Sequence, residues 1–228
     1  MKKVILIIAA LIAINISVNA QSKISLGVNG GLSIPVTELG RVYSITPSAE
    51  INAGYRLLPD MDLILTAGYS NFKYRNENLN DDIHTIDKNA NMNEAWTAMV
   101  IPVTAGIRYQ FDPISKKVFP YGTAELGAFY TSFDKRLGGN IVLTGSNITT
   151  LAATKESQLG VGLVLGIGTF FNITPRISVD VSVKYNFVKT DFIKDYVITK
   201  DTLVPYNVAG ISTGMYLTTR VGINVKLY

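Results

Sequence analysis

Residues 176–187 read Arg-Ile-Ser-Val-Asp-Val-Ser-Val-Lys-Tyr-Asn-Phe. Ile177, Val179, Val181, Val183, Tyr185 and Phe187 fall on one side of an extended chain. Ser178, Asp180, Ser182, Lys184 and Asn186 fall on the other. A period of two belongs to a β-strand, because successive side chains on a strand point to opposite faces. A helix would repeat its apolar positions every three to four residues, and this stretch does not.

The alternation spreads outward from there. In residues 158–169, Leu159, Val161, Leu163, Leu165 and Ile167 oppose Gly160, Gly162, Gly166 and Gly168. Towards the C-terminus, Met215, Leu217, Val221, Ile223, Val225 and Leu227 oppose Arg220, Gly222, Asn224 and Lys226. Earlier segments follow the same rule: Leu26 and Val28 against Gly27 and Asn29, Ile51 and Tyr55 against Glu50 and Asn52, Leu63 and Leu65 against Asp62 and Thr66. Further on, Val103 and Ile107 oppose Thr104 and Arg108, and Ala124 and Leu126 oppose Thr123 and Glu125. The count is about eight strands, most of roughly ten residues or more, the length a tilted strand needs to cross a bilayer.

The connections alternate in length. Short turns are expected at Pro59-Asp60, at 112–118 and at 172–175. Long polar connections are expected at 35–46, 76–94, 134–157 and 189–211, the last as a flexible outer loop around Pro205. This is the pattern of an antiparallel up-and-down transmembrane β-barrel with short periplasmic turns and longer extracellular loops.

The N-terminus reads as an export signal. Lys2 and Lys3 precede a short apolar run, Val4 to Ile14, and Val18-Asn19-Ala20 fits the small-residue cleavage rule. The expected organisation is a signal peptide over 1–20 and one barrel domain over 21–228. Losing Lys2 and Lys3 lowers the formal charge from +4 to +2, so the basic balance does not point to nucleic acid.

Composition excludes several chemistries. The 228-residue chain has no cysteine and a single histidine, which removes disulfides, thiolate nucleophiles and multi-His metal sites. Charged residues make up 17%, low for a soluble domain, and mean hydropathy is +0.24. No cofactor or metal is expected.

The polar face decides which side meets lipid. A lipocalin-like barrel in water would carry many Lys and Glu on its outer face. Here that face is mostly Gly, Ser, Thr and Asn with a few charges of both signs, which suits a narrow, filled interior. The expected lumen charges are Glu50, Asp62, Glu125 and Asp180 against Arg56, Arg108, Lys184, Arg220 and Lys226. Buried charges are normally paired, so the expectation is a structural ion-pair network rather than a conducting path. The aromatics Tyr55, Tyr69, Trp96, Tyr109, Phe111, Phe119, Tyr121, Tyr130, Phe133, Phe171, Tyr185, Phe187 and Tyr216 lie mostly near strand ends, where interfacial girdles collect them.

Ile101-Pro102-Val103 leading to Gly106-Ile107-Arg108-Tyr109, followed by Pro120-Tyr121 and Glu125-Leu126-Gly127, resembles the small outer-membrane β-barrel family of Bacteroidetes-type bacteria, the outer membrane protein beta-barrel domain. The resemblance covers essentially all of 21–228. It implies an outer-membrane location and contact with outer-membrane lipid, and says almost nothing about task.

Some small barrels of this kind modify lipids with a rim histidine. His84 sits near Asp81, Asp82 and Asp87, and an imidazole near pKa 6.5 can act as a general base. No nucleophile motif accompanies it, so an exposed loop histidine and no enzymatic activity are expected. The expected role is structural, adhesive or surface-binding, in a monomer that is not an open pore. A subunit of an envelope or secretion complex, meeting partners through the outer loops, and a lipid-modifying enzyme using His84 stay open as alternatives.

Overall fold

The computed structural model describes residues 23–73, 95–136, 154–193, 196–200, 204–208 and 211–227. The expected export signal and His84 lie outside the described residues. In chain order the elements are β1 (Ile24–Val36), α1 (Thr37–Val42), β2 (Thr46–Leu58), β3 (Met61–Lys73), β4 (Ala95–Gln110), β5 (Val118–Arg136), β6 (Thr154–Asn172), β7 (Ile177–Ile193), β8 (Tyr196–Lys200), β9 (Val204–Val208) and β10 (Ile211–Leu227).

β1 to β7 and β10 form one closed antiparallel barrel of eight strands, in the order β1-β10-β7-β6-β5-β4-β3-β2. Neighbours in the barrel are consecutive in the chain apart from the β8–β9 insertion. β10 closes on β1, with Ile24 facing Leu227 and Val36 facing Met215. Closure leaves no open sheet edge in the barrel wall, which is the requirement for crossing hydrocarbon with strands. The shortest barrel strands have 13 residues. At about 3.3 Å per residue that is roughly 43 Å of strand, enough when tilted to cross an apolar band of about 25 Å.

The three short turns gather at the end that holds Ile24 and Leu227. Pro59-Asp60 joins β2 to β3, residues 111–117 join β4 to β5, and 173–176 join β6 to β7. The last is fixed by Thr174, whose hydroxyl accepts from the Ile177 backbone N–H at 3.0 Å. The four longer connections leave from the opposite end. Three of them differ from the sequence expectation: within 134–157, β5 runs on to Arg136 and β6 already starts at Thr154. Residues 35–46 are not simply a polar loop: β1 continues to Val36 and α1 follows, because Leu39 and Tyr43 supply apolar side chains that fold back over the barrel mouth. Residues 189–211 are not simply a flexible loop either. β7 runs on to Ile193, and β8 pairs with β9 in a separate two-stranded antiparallel sheet.

The faces are those of a barrel in lipid. Val28 is 65% exposed, Leu126 67% and Val161 67%, while Asn29, Glu50, Asp62, Glu125, Asp180 and Asn224 are buried. Polar side chains fill the interior and apolar ones cover the outside, the reverse of a water-soluble barrel. No helix among the described residues is long and apolar enough to cross a membrane; the strands make the crossing.

Candidate functional site: the barrel lumen

The lumen is filled in layers. The layer at the long-loop end is apolar. Leu39 and Tyr43 meet Phe72 from β3, Ala98 and Val100 from β4, Phe129 from β5, Val164 from β6, Val188 from β7 and Tyr216 from β10. The Phe72 ring stands edge-on to Tyr216 with centroids 5.3 Å apart, a favoured aromatic geometry. These side chains occupy inward positions of strands whose lower inward positions are polar. To an inward face read from sequence as mostly Gly, Ser, Thr and Asn with a few charges, the structure adds this apolar layer, and Tyr216 belongs to it rather than to a lipid-facing girdle. The signal was present in the strand phase: Ile64 and Phe72 share a face with Asp62, Thr66 and Ser70.

Below lies a charged layer. Lys184 from β7 places its Nζ 3.0 Å from Glu50 Oε1 on β2 and 2.8 Å from Glu125 Oε1 on β5. Arg220 from β10 pairs with the other oxygen of Glu50. The Thr104 hydroxyl donates to Glu125 Oε2 at 2.6 Å. All these charged side chains are buried. Desolvation is repaid only by such close, multiple partners.

The next layer is built round Arg108. Its guanidinium lies 5.1 Å from the Tyr121 ring centroid and 5.0 Å from that of Phe170. Tyr121 in turn donates its hydroxyl to Asp180 Oδ1 at 2.6 Å. Tyr121 is therefore an inward residue, 2% exposed, and is also corrected from the girdle. Tyr55, Tyr69, Tyr109, Phe111, Tyr130 and Phe171 do face outward. The side chains of Trp96 and Phe133 lie outside the described residues.

At the short-turn end, Asp62 accepts from Arg56 Nε at 2.8 Å and from Gln110 Nε2 at 3.0 Å, with Arg108 Nη1 at 3.9 Å. Lys226 lines the same mouth without an ion-pair partner among the described residues. So the nine expected lumen charges divide into a central group (Glu50, Glu125, Lys184, Arg220), a Tyr121-linked Asp180, a mouth group (Arg56, Asp62, Arg108) and Lys226. Gln110, Thr104, Tyr121 and Phe170 complete these groups and were not singled out from sequence as lumen partners. Among the described residues, no cluster of three or more His, Cys, Asp or Glu is arranged to hold a metal ion.

A closed eight-stranded barrel with an apolar exterior and a packed lumen that holds its buried polar and charged side chains is a membrane-spanning β-barrel. The chain belongs to the outer membrane protein beta-barrel domain family, which matches residues 6–214. It is accordingly an outer-membrane protein. Among solved structures it is similar to the Neisserial surface protein A, at 20% identity over 92% of this chain and 100% of that one, with a TM-score of 0.54. It is also similar to the attachment invasion locus protein Ail of Yersinia pestis (14% identity, 89% and 96% covered, TM-score 0.49) and to a major outer membrane protein of Thermus thermophilus (13%, 90% and 98%, TM-score 0.47). No curated protein sequence matches it.

Proposed function

We propose that this protein is a monomeric, closed surface barrel of the bacterial outer membrane. Its membrane portion serves as a rigid mount for the connections between strands at the long-loop end. The observation that carries this reading is the seal across the lumen: an apolar layer capped by α1 lies over the Lys184–Glu50–Glu125 group. Two packed layers in series leave the interior to stability, and recognition then falls to the outer connections, where variable surface loops normally carry it. Residues 1–20 act as the cleaved export signal, and the Ile101-Pro102-Val103 and Pro120-Tyr121 segments support a Bacteroidetes-type origin. The protein is without catalytic activity in this reading.

The test is an exchange of the 74–94 and 137–153 segments for short Gly/Ser linkers. Cells carrying the exchanged protein should keep a heat-modifiable barrel band and lose binding to host or neighbouring-cell surfaces. Unchanged binding, or stoichiometric envelope proteins co-purifying through the barrel, would sink the adhesive reading in favour of a complex subunit.

A further inference from the structure

The short-turn end of the lumen opens into a pocket of about 220 Å³. Its inner wall carries Arg56, Arg108 and Lys226 against one carboxylate, Asp62. Asp62 is already engaged by Arg56 and Gln110, so it reaches Arg108 only at 3.9 Å. The other carboxylates nearby do not change the balance. Asp180 stands deeper and is bonded to Tyr121, while Asp60 and Asp112 lie on the exposed rim together with Lys23.

Two donors on this wall have no acceptor: Arg108 Nε and Asn224 Nδ2. Each belongs to a residue that is only 3% exposed. A buried donor without an acceptor is costly, and an arginine keeps its charge at every physiological pH. Lys226 adds an ammonium with no ion-pair partner among the described residues. Three strands, β4, β10 and β2, thus bring the cations Arg108, Lys226 and Arg56 to one pocket whose inner wall carries a single carboxylate, already engaged.

We propose that this periplasm-facing pocket binds a small oxyanion, a carboxylate or phosphate, on Arg108, Asn224 and Lys226. Phe119 and Phe170 line the same space. A carboxylate with an aromatic body therefore gains apolar contact that inorganic phosphate does not, and binds more tightly.

The full chain, folded in detergent micelles with 15N-labelled arginine and asparagine, tests this by NMR titration. Benzoate and inorganic phosphate are the probes, and sodium chloride of equal ionic strength is the reference. The Arg108 Nε–H and Asn224 amide signals should shift saturably, with benzoate saturating at the lower concentration. Saturation by phosphate alone also supports the site and narrows its ligand to a compact inorganic-type anion. Lys226→Met should weaken the binding roughly tenfold, the scale of one charge-assisted contact, while the heat-modifiable barrel band is retained. Shifts that never saturate, that chloride reproduces, or that Lys226→Met leaves at the same affinity would overturn the proposal.

Discussion

Lys184 Nζ lies 2.8 Å from Glu125 Oε1, although the two residues are 59 positions apart and sit on strands separated by β6. The same ammonium bonds Glu50 on the far side of the seam between β1 and β10. One lysine therefore struts three non-adjacent strands across the lumen. Lys184→Met should cost about 3–5 kcal/mol, because it leaves Glu125 buried without a cation. Adding Glu125→Gln should recover part of that loss, since Glu50 keeps Arg220. The urea midpoint of the liposome-folded protein reads both variants. A double variant no more stable than the single one would mean that the strut contributes through Glu50 alone.

Gly168 faces Tyr121 across the β5–β6 ladder, and a Cβ on Gly168 would run into the phenol ring. That ring is held where its hydroxyl meets Asp180 and its face meets Arg108. Gly168→Val should therefore displace Tyr121 and cost about 1–3 kcal/mol of overpacking. Gly30→Ala, on the outer face with nothing within 4 Å of the new methyl, should be close to neutral. Parallel refolding yields and heat-shift assays compare the two, and equal losses would refute this account of the inward glycines.

The barrel was legible because strand phase is a local property. The alternation of Val179, Val181 and Val183 with Asp180, Ser182 and Lys184 assigns each side chain to a face without knowledge of its neighbours. What shares a layer depends on strand stagger, which local pattern does not encode. Hence the inward position of Lys184 was readable, and its reach to both Glu50 and Glu125 was not. Tyr121 and Tyr216 failed for a different reason. Near a strand end an aromatic serves equally as a girdle residue or as a lumen plug, and only its phase separates the two. The glycines of β6 were read as small inward residues. The structure adds what they make room for: the rings of Phe129 over Gly162 and of Tyr121 over Gly168.

Leu126 sits beside Glu125 in sequence and on the opposite face of β5, 67% exposed where Glu125 is 1%. Leu126→Arg places a cation in the hydrocarbon and should cost about 2–4 kcal/mol in lipid if this position lies near the bilayer midplane. In a detergent that lets water reach the barrel wall the penalty should shrink. Equilibrium unfolding in liposomes and in micelles separates the two cases. A neutral effect in both would contradict the assignment of this face to lipid.

Tyr216 bears on the seal at the long-loop end. It is 1% exposed, its ring packs edge-on to Phe72, and its backbone carbonyl accepts from Asn186 Nδ2 at 3.2 Å. Tyr216→Ala should keep that backbone bond but empty an aromatic-sized volume from the apolar layer, costing about 3–5 kcal/mol. The barrel should still pass no current in planar bilayers, because the Lys184 strut below it is untouched. A destabilised but silent barrel is the expected outcome. Steady single-channel currents from this variant would mean that the apolar layer is the sole barrier, and that the charged layer beneath it admits hydrated ions.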